Sequence, residues 1–303
     1  MSATPSTLPW PTPERHVIPL RTTLGIRDEE SSGTVQPGRE EATLWCAALR
    51  YPVSARQRNE SGLTLVLTHG MSSHKESYHP VISRMLQLNG AENRYAAGIR
   101  EVWSIDLPNH GESAALNRAL LDDRKDRGRR EGWEGRSTMD LSAYLNAFLS
   151  IPPLRGHRVV GVAHSGSSTF WIHALTILKN SHSHPFAIIF MEPTVMFPGM
   201  PPTDPRSIHG AANVRGALSK RDRWANREDA MLWLLGIKGS SSRKQETREN
   251  SVRRVDEKNR GDSNNSNRTK SIWSKWDDRA LALYVVCGVI SRSGDGGGCG
   301  LLV

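Results

Sequence analysis

The sequence predicts an α/β chain: a mostly parallel sheet with helices on both faces. Three observations predict it. Short, largely apolar runs recur at Leu63 to Thr68, Glu101 to Asp106, Arg158 to Ala163 and Phe186 to Met191, with the length and β-branched content of strands buried on both sides. Segments with helical spacing of apolar residues separate them, and alternation of that kind implies right-handed crossovers and parallel pairing. Finally, Val159 to Phe170, VVGVAHSGSSTF, passes from a strand into a helix across a Ser/Gly interruption, which demands a sharp turn.

Taken in order, residues 1–39 form an N-terminal tail, Pro/Ser/Thr-rich to about residue 15, that leads into a first edge strand at His16 to Leu20. A second strand, Ala42 to Tyr51, follows a charged, glycine-containing loop, and the two read as the antiparallel edge of the sheet. Leu63 to Thr68 ends in His69-Gly70-Met71, where glycine permits a tight turn and leaves the next N–H groups free to face a ligand. The helix expected over Tyr78 to Leu88 carries Val81, Ile82, Met85 and Leu86 on its core side. Glu101 to Asp106 closes in Leu107-Pro108-Asn109-His110-Gly111-Glu112-Ser113. Arg118 to Arg136 mixes charges of nearly balanced sign and reads as a solvated loop or exposed helix. A helix over Thr138 to Leu149, the strand Arg158 to Ala163, a helix from Thr169 to Lys179 and the strand Phe186 to Met191 complete a core over residues 40–195.

The charge is local. The chain has 303 residues, 37% hydrophobic, with a net charge of +9, a pI near 9.8 and a mean hydropathy of −0.50. Between Lys238 and Lys270 ten Lys/Arg face five Asp/Glu, an excess of five that is over half of the total. Residues 237–271 are almost wholly polar and cannot bury apolar area, so a disordered basic insert is expected there. With almost no aromatics to stack bases and with acids interleaved, the stretch argues against a nucleic-acid partner. Cys46, Cys287 and Cys299 show neither C-x-x-C nor histidines at metal-ligand spacing, which points to a reducing compartment, the cytoplasm, and to no metal. No apolar run reaches the ~20 residues that span a bilayer. The glycines at 111, 161 and 166 make no dinucleotide fingerprint, so no cofactor is expected.

The turn in VVGVAHSGSSTF carries the candidate chemistry. A serine at its apex, Ser165, presents an exposed Oγ, and the following N–H groups point from a helix N-terminus at which a developing oxyanion is stabilised. The usual pattern of such a nucleophile elbow is G-x-S-x-G; here Ala163 and Ser167 stand at the outer positions.

LTLVLTHG, SIDLPNHGES, VVGVAHSGSS and IIFMEP, in that order, resemble an α/β-hydrolase of the AB-hydrolase-1 type. Within it, His74-Lys75-Glu76, Asp106 to Ser113 and Glu192-Pro193 resemble the fungal branch of peroxisomal lipase-like and toxin-biosynthesis hydrolases. The resemblance covers about residues 40 to 235 and a fragment near 272 to 289. It implies a hydrolase of carboxylic esters or thioesters acting on a small-molecule acyl substrate. Ser165 matches the nucleophile, and the backbone N–H groups of Met71 and Gly166 match the oxyanion hole. His69, Gly70, Asp106, His110 and Gly111 match turn-shaping motif residues. Glu192, directly after the strand next to the nucleophile strand, is either the triad acid or a carboxylate capping its own turn.

The base is harder to assign. After Glu192 the only histidine is His209, within residues 196–236, which resemble the start of a helical cap. The family's histidine loop follows a last strand that this chain does not show. Trp273 to Val289 resembles a further cap fragment, and the glycine-rich end of residues 272–303 matches nothing and reads as unstructured. The expectation is therefore a sheet lacking its last strands, in an incomplete or mis-assigned gene product with impaired activity or none. A cDNA encoding codons 230 to 303 unchanged would refute that account of the gene.

Overall fold

Every strand expected from residue 14 to 191 forms, and five pairings join them into one sheet. The computed structural model describes residues 12–25, 39–53, 60–91, 98–121, 138–177, 184–195, 199–218, 223–235, 285, 289–291 and 299–301. Two compact units divide the chain: Met1–Lys220 with Leu302–Val303, and Arg221–Leu301.

In the first unit, β1 (Glu14–Gly25) and β2 (Arg39–Pro52) pair antiparallel along twelve positions, longer than their apolar kernels alone suggest. β2 joins β4 (Ile99–Ile105) antiparallel, and β4, β3 (Leu63–Thr68), β5 (Arg158–His164) and β6 (Ala187–Met191) follow in parallel. The order β1-β2-β4-β3-β5-β6 puts the strand that carries the sharp turn between β3 and β6. Both neighbouring crossovers therefore deliver their loops to the same end of the sheet.

Period-two alternation feeds two cores, which is why these strands are apolar on both sides. Leu65, Leu67, Val102, Val160 and Val162 bury against Tyr78 and Ile82 on one face. Val66, Trp103, Ile105, Val159 and Ala163 bury on the other against Tyr144, Phe148 and Trp171. The first face is covered by a 3-10 turn at Lys75–Tyr78 that runs into α1 (His79–Ala91). Ile82 is buried there with Met85 and Leu86 packed beside it, whereas Val81, expected on the core side, is 52% exposed. The reason is angular: at about 100° per residue, position 81 falls outside the stripe through 82, 85 and 86.

A short helix, α2 (Gly111–Leu116), follows β4. The second face is covered by α3 (Thr138–Leu149) and α4 (Ser167–Ile177). Residues 141, 144, 145, 148 and 149 of α3 are all buried, at the spacing that lines one side of a helix. After β6, α5 (Pro205–Leu218) starts where Asp204 Oδ1 accepts the Arg206 N–H at 2.8 Å, with proline at the first helical position.

The second unit holds a small antiparallel sheet, β7 (Arg223–Trp224), β9 (Cys299–Leu301) and β8 (Val289–Ser291) in that order. α6 (Arg227–Leu234) is capped by Asn226 Oδ1, which accepts the Asp229 N–H at 2.9 Å. Trp224, Ala230, Leu234 and Val285 form its buried cluster. The basic stretch 237–271 and most of Trp273 to Val289 lie outside the described residues, as does most of Arg118 to Arg136.

Candidate active site

β5 reaches α4 through only two residues, Ser165 and Gly166, so the chain reverses in a strained turn. Ser165 lies at φ 52°, a left-handed conformation that costs a non-glycine residue about 1–3 kcal/mol. The surroundings hold it there. Its N–H donates to Met191 O at 2.9 Å, and its carbonyl accepts from Ser168 N at 3.0 Å and Thr194 N at 3.4 Å. Ser167, where the usual elbow has glycine, is fully buried and its hydroxyl is partnered: it donates to His164 O at 2.9 Å and accepts from Thr68 Oγ1 at 3.0 Å. Thr68 Oγ1 in turn accepts the Trp171 Nε1–H at 2.9 Å. The departure from the glycine pattern is thus accommodated by a hydrogen-bonded serine.

The turn after β3 meets this elbow directly. A Cβ placed on Gly70 would stand 3.2 Å from Ser165 Cβ, and one on Gly166 would stand 3.1 Å from Met71 Cγ. Both distances are tighter than ordinary packing and show how closely the two turns approach. The N–H groups of Met71 and Gly166 donate to no acceptor among the described residues.

The motif residues lace the β3 and β4 turns together. His69 Nε2 accepts the Leu107 N–H at 3.1 Å while its Nδ1–H donates to Gly70 O at 2.8 Å. His110 Nε2 accepts the Ser72 N–H at 3.2 Å while its Nδ1–H donates to Asn109 Oδ1 at 2.8 Å. Each ring is a neutral acceptor. Burial holds His69 well below its ordinary range, and burial, reinforced by nearby His74, pulls His110 down to about 4. Asp106 Oδ1 accepts the Lys75 N–H at 2.8 Å, and Oδ2 accepts from Lys75 Nζ and Glu112 N, both at 2.9 Å.

Lys75 itself is 1% exposed, and its ammonium also meets Glu76 Oε1 at 2.8 Å and Glu112 Oε2 at 3.2 Å. Arg15 closes the chain of charges on Glu112. Burial alone would lower the Lys75 ammonium, but Asp106 and Glu76 outweigh it and raise it. Glu76, though burial works against its charge, is brought down to about 2 by His74 and Lys75. Sequence reasoning missed this cage, because a lysine after a turn carries no local sign of burial. Only the nearby acids at 76, 106 and 112 hinted at partners.

Glu192 sits at φ 48° just past β6, beside the elbow through the Met191 carbonyl, with its side chain exposed. His209 lies on α5 and is exposed. Among the described residues, neither His209 nor any other imidazole hydrogen-bonds to Ser165. The hydroxyl that Ser165 Oγ does approach is Thr194 Oγ1, at 3.5 Å, and Thr194 O accepts from Thr169 Oγ1 at 3.0 Å. Nothing in the sequence singles out Thr194, which becomes part of the site only because β6 lies against β5. Among the described residues no group of three or more His, Cys, Asp or Glu is arranged to hold a metal, and no helix is long and apolar enough to cross a membrane.

Solved structures resemble this fold. The peroxisomal alpha-beta-hydrolase Lpx1 from Saccharomyces cerevisiae superposes with a TM-score of 0.52 at 16% identity, over 95% of this chain and 64% of its own. The present chain thus spans 64% of that structure's length. An alpha/beta hydrolase from Novosphingobium aromaticivorans gives 0.45 at 12% identity, over 86% and 64% of the two chains. A thioesterase domain from the curacin biosynthetic pathway gives 0.42 at 10%, over 93% and 72%. Among curated proteins none matches the sequence. The model of the alpha/beta hydrolase family matches residues 65–295, most of the chain, and with the strand order and the Ser165 turn in place the conclusion is direct: this chain belongs to the alpha/beta hydrolase family.

Proposed function

We propose that the protein is a serine hydrolase of carboxylic esters or thioesters, with Ser165 as its nucleophile. One observation carries the reading: a left-handed Ser165 stands next to two turns whose Met71 and Gly166 N–H groups have no acceptor among the described residues. In the reaction, Ser165 Oγ attacks the acyl carbonyl and its proton passes to an imidazole. The carbonyl oxygen takes up negative charge and is held by the Met71 and Gly166 N–H groups. Collapse expels the alcohol or thiol, which takes the proton from the imidazole, and water then releases the acid by the same steps in reverse roles. Glu192 is the acid and His209 the base in this reading. The compartment in this reading is the cytoplasm, on the sequence argument from three widely spaced cysteines.

A second reading, an inactive member of the family, is favoured by the Ser165 hydroxyl facing Thr194 rather than an imidazole. Without a base a serine is an ordinary alcohol, and losing a triad member lowers turnover by several orders of magnitude. Labelling of the 303-residue protein by a fluorophosphonate probe separates the two, with Ser165→Ala as control. Labelling that vanishes in Ser165→Ala is expected for the hydrolase. A folded protein that takes up no probe would overturn that reading in favour of the inactive one.

A further inference from the structure

In the hydrolase reading, the oxyanion site assigned to the Met71 and Gly166 N–H groups works only if the Met71 peptide is held at one orientation, and the Met71 side chain does not hold it. That side chain is 52% exposed, and the next residue, Ser72, occupies the left-handed region at φ 62°, which an L-residue leaves unless its backbone is tied. One tie at Ser72 is its N–H to His110 Nε2, at 3.2 Å.

We propose that His110 is a positioning residue for the oxyanion pocket: by accepting the Ser72 N–H it locks the left-handed turn that aims the Met71 N–H alongside the Gly166 N–H. The claim rests on the serine-hydrolase reading for its catalytic consequence, though not for the bond itself. His110 suits the task because it is fully buried and cannot turn away: Nδ1–H is committed to Asn109 Oδ1 at 2.8 Å, so Nε2 is left as the acceptor. With both ring nitrogens engaged, the imidazole has no nitrogen to offer Ser165, which separates positioning from general-base catalysis.

The mount is rigid as well. Asp106, four residues earlier, is pinned by Lys75 from the side chain and by the Tyr144 hydroxyl, which donates to Asp106 O at 2.8 Å. His69 makes the reciprocal bond from the β3 turn to Leu107, and the two rings lie 5.1 Å apart. His69 and His110 therefore join the β3 and β4 turns at two points, and a loss at His110 removes the one that bears directly on the residue after Met71.

The test compares His110→Phe, which keeps an aromatic of similar volume but no acceptor, with His110→Gln, whose amide oxygen can receive the Ser72 N–H. Amide exchange read by NMR needs no activity. Ser72 protection is expected to fall about tenfold or more in His110→Phe and to return in His110→Gln. Fluorophosphonate kinetics are expected to show the inactivation rate constant of His110→Phe falling about 10- to 100-fold, with initial probe binding unchanged, and recovering in His110→Gln. Unchanged Ser72 exchange in His110→Phe, an equal loss in both variants, or a loss confined to probe binding would each overturn the proposal. If wild type takes up no probe, the hydrolase reading fails alone, and the exchange result still decides whether His110 holds the turn. Should His110→Phe not fold, the ring nitrogen shifts of wild type decide: a proton on Nδ1 with a protected Ser72 amide supports the bond, and a proton on Nε2 overturns it.

Discussion

Ser165 is held in a conformation that its own side chain disfavours, and the hydrogen bonds to Met191 O, Ser168 N and Thr194 N supply the restraint. Those bonds use only its backbone. Ser165→Gly should therefore keep them, remove the left-handed strain and raise stability by about 1 kcal/mol, while abolishing probe labelling; a thermal melt beside the labelling assay checks both halves. His110 offers a second measurement at this scale. Its folded value of about 4 lies below the ordinary 6.5, so the unfolded chain binds more protons between those pH values. The stability that neutral His110 contributes is complete above about pH 6.5 and is lost as pH falls toward 4, on the order of 3 kcal/mol. His69, whose ring lies 5.1 Å away and is likewise kept neutral by burial, adds to the loss when it charges. Urea midpoints from pH 7 to 4 are expected to fall steeply in wild type and less steeply in His110→Phe.

At the scale of elements, β5 and α4 pack through a glycine. A Cβ on Gly161 would lie 2.6 Å from the Trp171 ring, which is itself fully buried, so Gly161→Ala is expected to cost about 1–3 kcal/mol in a denaturant titration. The Lys75 cage joins the 3-10 turn to β4 and α2. Replacing Lys75 with Met removes the ammonium that pairs with buried Asp106 and with Glu76, an expected loss of about 3–5 kcal/mol, visible as a large drop in thermal midpoint. The two cases differ in legibility. The strands and helices could be read from the chain because periodicity is a local property, and Ser165, Gly70 and Gly166 came with them as turn residues between elements. Lys75 could not: its partner Asp106 is 31 residues away, and only the parallel pairing of β3 with β4 brings them within 2.9 Å.

At the scale of the whole molecule, among the described residues the six-stranded sheet ends at β6, whose side chains Ile189 and Phe190 are 52% and 40% exposed. An uncharged apolar edge strand is a template for pairing with other chains. Ile189→Lys is expected to lower light scattering of concentrated protein while leaving the circular dichroism spectrum unchanged. The net charge of +9, by contrast, is concentrated in the polar stretch after α6 and does not reflect this sheet. What the sequence determined by itself is the alternation of elements, the parallel core, the family and the serine turn, because each is written in neighbouring residues. What only the tertiary structure decided is which groups surround that turn: Thr194 against Ser165, His110 under Ser72 and the carboxylates around Lys75. Apart from that of Lys75 with Glu76, its neighbour in sequence, those contacts join residues 29 to 38 positions apart, and their existence depends on strand order and register rather than on any local pattern.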